Sequence, residues 1–148
     1  MRLAQFGGVT AFAVVAIYGS SVVAQTKAFS ARLSIVPITI AMQRIVTGKG
    51  SATAVLAGDA LTIDGKFEGL RSPATVAQLH IGIRGVRGPS VASLTVSGGT
   101  MGTIKGVVPV TRELRQALEK SAVYIQIHSE TAPDGNLWGW LLPQEVKP

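Results

Sequence analysis

Ser51-Ala52-Thr53-Ala54-Val55-Leu56-Ala57-Gly58-Asp59-Ala60-Leu61-Thr62-Ile63-Asp64-Gly65-Lys66-Phe67-Glu68 decides the fold class. Ala52, Ala54 and Leu56 take every second position up to Gly58-Asp59. Leu61, Ile63, Gly65 and Phe67 then form a second such set, with Thr62, Asp64, Lys66 and Glu68 between them. Successive side chains on a strand point to opposite faces, so this alternation describes two strands with one buried face each. Ala57-Gly58-Asp59-Ala60 between them reads as a tight hairpin.

The same period continues on both sides. Phe29, Ala31, Leu33 and Ile35 alternate with Ser30, Arg32 and Ser34, and Pro37 limits how far that strand runs inside a sheet. A turn is expected at Gly48-Lys49-Gly50. Further strands are expected at 76–83, 91–97, 102–108, 122–129 and 137–142. Gly85-Val86-Arg87-Gly88-Pro89, Ser97-Gly98-Gly99 and Ala132-Pro133-Asp134-Gly135 mark the turns between them. Short strands at this spacing make an antiparallel sandwich or barrel. Only residues 111–120 break the pattern. Thr111 is placed to cap a short helix there, and Leu114 with Leu118 gives it one apolar stripe. This helix is expected to cross over one end of the strands.

Composition narrows the chemistry. The chain has 148 residues, 47% hydrophobic and 15% charged, with 17 Gly and no Cys. That is too apolar and too weakly charged for a disordered chain. Without Cys there is no disulfide scaffold, thiol nucleophile, thiolate zinc site or iron–sulfur cluster. Fourteen Lys and Arg against eight Asp and Glu leave a formal charge of +6, basic without a charge run.

Residues 1–24 read as an export signal rather than as fold. Arg2 supplies the positive end, Phe6 to Ile17 form an apolar run interrupted only by Thr10, and Val22-Val23-Ala24 precedes the expected cleavage. Gly7, Gly8, Gly19, Ser20 and Ser21 leave that run shorter than the ~20 residues of a spanning helix. A single domain over 25–148 is expected to follow, secreted or periplasmic, with no transmembrane segment after cleavage.

Four segments resemble one family in their order. Gly69-Leu70-Arg71-Ser72-Pro73-Ala74-Thr75-Val76-Ala77-Gln78-Leu79-His80-Ile81-Gly82 resembles the central motif of the CHRD (chordin) domain, a Gly-Leu turn followed by a His-x-His strand. Gly85-Val86-Arg87-Gly88-Pro89 is similar to the Gly-x-x-Gly-Pro that follows that strand. Tyr124-Ile125-Gln126-Ile127-His128-Ser129-Glu130 resembles the second signature, and Pro133-Asp134-Gly135-Asn136-Leu137-Trp138-Gly139 the closing one. Three positions depart from the pattern. Gln78 replaces the first His, Asn136 a Glu and Trp138 an Arg. The resemblance implies an exported or extracellular binding module. It also implies an all-β antiparallel sandwich, immunoglobulin-like or Cu,Zn-superoxide-dismutase-like, to which residues 111–120 add the one short crossover helix.

His80 and His128 are the two histidines, each on an expected strand and on the face opposite its aliphatic row. With Gln78 or Glu130 they form a candidate site for Cu or Zn. The alternative is that both hydrogen-bond neighbouring carbonyls and orient turns. An amide oxygen at position 78 is a poor ligand for such metals, and a dinuclear dismutase site would need more histidines. No Gly-x-Ser-x-Gly elbow or placed nucleophile accompanies them, so no enzyme is expected.

Arg84 and Arg87, on either side of Gly85, form a candidate anion site, and Trp138 is a candidate stacking surface two residues from Trp140. The alternative is a solvated loop with packed indoles. The partner expected is a protein or an anionic or glycan ligand. Nucleic acid is disfavoured at 5% aromatic residues.

Overall fold

The structure, a computed structural model, describes residues 25–145, and the expected signal at 1–24 lies outside them. Nine strands and one α-helix follow in order: β1 (Lys27–Ile35), β2 (Lys49–Ala57), β3 (Ala60–Glu68), β4 (Ala74–Ile81), β5 (Ser90–Val96), β6 (Gly102–Pro109), α1 (Arg112–Glu119), β7 (Val123–Ser129), β8 (Ala132–Trp140) and the short β9 (Leu142–Pro143). The hairpin read from the sequence is present, with Ala57 opposite Ala60 and the register unbroken to Lys49 opposite Glu68. β1 stops at Ile35, before Pro37.

The strands pair antiparallel in the order β2-β3-β6-β5-β4-β7-β8-β1, and β1 returns to β2. The result is a closed eight-stranded barrel, which corrects the sandwich implied by the resemblance. Closure comes from two shared strands. β1 pairs with β2 from Lys27 to Leu33 and passes to β8 at Ser34 and Ile35. β5 pairs with β4 through Leu94 and with β6 at Thr95 and Val96. A strand that changes partners satisfies backbone groups that an open sandwich would leave at an edge.

The interior is filled by the alternating rows. Leu33, Leu61, Ile63, Leu79, Ile104, Ile125 and Leu137 are all 1% exposed or less. α1 closes over this core with Leu114, Ala117 and Leu118 buried. Its first turn is capped as expected, since the Leu114 N–H donates to Thr111 Oγ1 at 3.1 Å.

Three boundaries differ from the sequence reading. Lys49 and Gly50 belong to β2 rather than to a turn. β4 ends at Ile81, and its continuation to 83 is loop. The chain reverses at Glu130-Thr131, not at Ala132-Pro133-Asp134-Gly135, because Ser129 already pairs with Ala132. The Gly135 signal marks a kink within β8, where φ is +132°. That φ strains any other residue there, and a Cβ would also press on the Gln126 amide.

The outer face of β7 and β8 is buried as well, which strict alternation does not announce. The connection after β1, containing the 3-10 turn Ile40–Arg44, lays Val36 and Val46 over Tyr124, Ala132, Trp138 and Trp140. The outer face of β2, β3 and β6 stays exposed and mostly polar, with Thr53, Thr62, Asp64 and Lys66 beside the exposed Val55 and Val107.

Candidate functional site

β4 and β7 carry both histidines onto the outer face, as the alternation predicts, but not side by side. Val76 stands opposite His128, Gln78 opposite Gln126, and His80 opposite Tyr124. A glutamine pair therefore lies between the two imidazoles. Glu130 sits exposed in the β7–β8 turn, its N–H on the Pro73 carbonyl at 3.1 Å. Among the described residues no group of three His, Cys, Asp or Glu side chains gathers.

The two imidazoles are nevertheless held alike. His80 Nδ1 lies 2.9 Å from the Gly88 carbonyl, and His128 Nδ1 lies 2.7 Å from that of Pro133. A carbonyl only accepts, so each Nδ1 carries a proton, and in a neutral ring the lone pair then sits on Nε2. Both Nε2 atoms are buried and without a hydrogen-bond partner among the described residues. The His80 ring stacks on Tyr124 with centroids 4.8 Å apart. Burial holds its pKa below the ordinary histidine value against the opposing effect of the Gly88 carbonyl, with His128 and Arg87 lowering it further.

The loop 82–89 is clasped to this face. The Gly88 N–H donates to Tyr124 Oη at 3.0 Å, and Trp140 Nε1 donates to the Gly82 carbonyl at 2.9 Å. At Gly88 a Cβ would run into the Ile81 carbonyl, so the close approach of loop and strand requires glycine. Arg87 reaches toward β8 instead: its guanidinium donates to the Asp134 carbonyl at 2.6 Å, the same oxygen that accepts from Gln126 at 2.9 Å.

Arg84 is placed differently. It lines a shallow pocket of about 230 Å³ together with Trp138, Trp140, Arg32 and Ser34. The two indoles are 8% and 9% exposed and pack on each other with centroids 4.7 Å apart, so they floor the pocket rather than stand out as a stacking pair. No acidic residue lines it. The structure thus brings Arg84 and Trp138 together, turns Arg87 away, and adds Arg32 and Ser34. Nothing in the spacing of the sequence signals Arg32. It reaches the site only because β1 leaves β2 for β8 beside it, with Ser34 opposite Trp138.

A closed antiparallel β-barrel with a clasped loop and a basic, indole-floored pocket is the class of domain these features define. The family model described as CHRD domain matches residues 29–141, and the chain belongs to the CHRD-domain family. No curated protein and no solved structure matches it. Of the elements that carried the resemblance, the His, Gly-x-x-Gly-Pro and Tyr-x-x-x-His pieces meet on this face. Leu70 enters the core, while His80, Gly88 and Tyr124 form the clasp.

Proposed function

We propose that this chain is an exported, non-enzymatic binding module that holds an anionic ligand, from a glycan or a protein, in the pocket of Arg32, Arg84 and Trp138. One observation carries the reading: Arg32 and Arg84 line the same pocket as Trp138 and Trp140, and no acidic residue lines it. Among the described residues neither arginine takes part in an ion pair. Arg presents a planar fork of donors that suits carboxylate or sulfate. Calorimetric titration with digalacturonate against neutral digalactose tests it. The acid form should bind, the neutral form should not, and Arg84→Gln should weaken binding about three- to tenfold. Binding indifferent to Arg84 would sink the reading.

Export belongs to the same proposal and rests on the pattern of residues 1–24. Among the described residues no helix is long and apolar enough to cross a membrane. Intact-mass measurement of the exported protein should find Gln25 as its first residue. A full-length species held in the membrane would overturn it.

A second reading, a Cu or Zn site on the strand histidines, is favoured by the like hydrogen bonding of His80 and His128 through Nδ1. A ligating imidazole normally gives its other N–H to a carbonyl, which fixes the ring and leaves the free nitrogen for the metal. Two imidazoles alone fall short of the usual ligand count, so the binding expected of the natural chain is weak.

A further inference from the structure

Arg32 lies at the corner where β1 passes from one half of the barrel to the other, and it lines two pockets. One is the indole-floored pocket of Arg84. The other, about 440 Å³, opens on the outer face of β2, β3 and β6, and includes Ser51, Lys66, Thr103 and Lys49 in its wall. The register explains how these side chains meet. Arg32 stands opposite Ser51, Ser51 opposite Lys66, and Lys66 opposite Thr103, all exposed on one face. Arg32 and Lys66 are therefore two strands apart, about 10 Å at the ordinary strand spacing. The single acid in this pocket, Glu68, is engaged by Lys49 at 3.3 Å, and neither Arg32 nor Lys66 enters an ion pair among the described residues.

Resting on the anion-binding reading above, we infer that the ligand is a linear anionic polysaccharide that crosses β1 at Arg32, with one acidic unit in the Arg84 pocket and a later one at Lys66. Arg84 in its loop, Arg32 on β1 and Lys66 on β3 beyond β2 set cations at intervals that match charges repeated along a chain, which a single small anion would not need. Ser34, Ser51 and Thr103 line the same track and supply hydroxyls to meet sugar hydroxyls. Single-stranded nucleic acid, the other long polyanion, needs open aromatic platforms for its bases. The two indoles here are nine-tenths buried. Linking a second contact to the first raises affinity through effective concentration, so length is the property to measure.

The experiment titrates the full exported chain with the monomer, dimer, tetramer and hexamer of galacturonate, and with dextran sulfate oligomers of matching length. Affinity should climb about tenfold or more from dimer to hexamer. Lys66→Gln should cost the hexamer about three- to tenfold and leave the dimer unchanged, whereas Arg84→Gln and Arg32→Gln should weaken both. The carboxylate and sulfate arms identify which acid group is preferred. Equal affinity for dimer and hexamer, or a hexamer indifferent to Lys66, overturns the track while leaving the single pocket standing. Loss of the dimer itself, or its indifference to Arg84, overturns the pocket. Tighter binding of a single-stranded oligodeoxynucleotide of equal charge than of the hexamer assigns the surface to nucleic acid instead. All three substitutions are at exposed positions, and unchanged melting temperatures confirm that each variant is folded.

Discussion

His80 combines burial, a fixed tautomer and an unpartnered Nε2, and each has a measurable consequence. Its folded-state pKa lies below the ordinary value of about 6.5. Below that value the unfolded chain takes up a proton at this residue more readily than the folded one, so the unfolded state gains as pH falls. The stability associated with neutral His80 is complete above about pH 6.5 and is lost as pH drops through the lowered folded value. Melting temperatures of chelator-treated protein between neutral pH and pH 5 should fall more steeply for the natural chain than for His80→Gln. Gln78 makes a second case at this scale. It lies two residues from His80 on β4, and the register sets it diagonal to His128 on β7. Diagonal and same-face neighbours stand about 7 Å apart, within reach of long side chains. Gln78→His therefore puts a third imidazole between the other two. It should bind Cu(II) or Zn(II) at least about tenfold more tightly than the natural chain, with the gain abolished by His128→Ala. Calorimetry that finds no gain would leave the histidines purely structural.

At the scale of elements, the loop 82–89 and α1 each depend on a small number of backbone contacts. Gly88 is pressed against β4 so closely that a methyl group meets the Ile81 carbonyl. Its N–H and carbonyl are also the groups that Tyr124 and His80 hold. Gly88→Ala should destabilise the protein by about 1–3 kcal/mol in denaturant unfolding, because the loop must lift and leave those polar groups without partners. For α1 the cap is the exposed point. Thr111→Ala removes the acceptor of the Leu114 N–H and should cost about 1 kcal/mol. Lifting the loop also moves Arg84, so Gly88→Ala is expected to weaken acid-ligand binding while Thr111→Ala leaves it unchanged.

For the whole molecule, the shared strands govern cooperativity. β1 and β5 each belong to both halves of the barrel, and one continuous core lies between those halves. Neither half has a complete set of strand partners without the other, so unfolding should be a single transition. Both tryptophans lie on β8, whereas far-ultraviolet circular dichroism reports all the strands. The fluorescence and dichroism midpoints in urea should coincide. Separated midpoints would show that the halves unfold independently and that closure contributes little.

Much of this architecture was legible residue by residue. Alternation placed the inward rows of Leu33, Ile63, Leu79 and Ile125 correctly, because a half-buried strand forces period two on its own sequence. Thr111 with Leu114 and Leu118 marked the one helix, and four ordered motifs marked the family. Both histidines fell on the expected face for the same local reason. Closure of the barrel was not legible, since partner exchange at Ser34 and Thr95 depends on how far two strands bend and leaves no periodic trace. Gly135 announced a departure from regular backbone, but only the pairing of Ser129 with Ala132 shows a kink rather than a reversal. The candidate pocket divided in the same way. Arg84 and Trp138 carried their own signals, while Arg87 was diverted by a carbonyl from a distant strand. Arg32 was supplied by a strand more than fifty residues from Arg84 in the chain. A sequence states which face each side chain takes on its own strand; which strands lie side by side is settled only when the hydrogen-bonded edges find their partners.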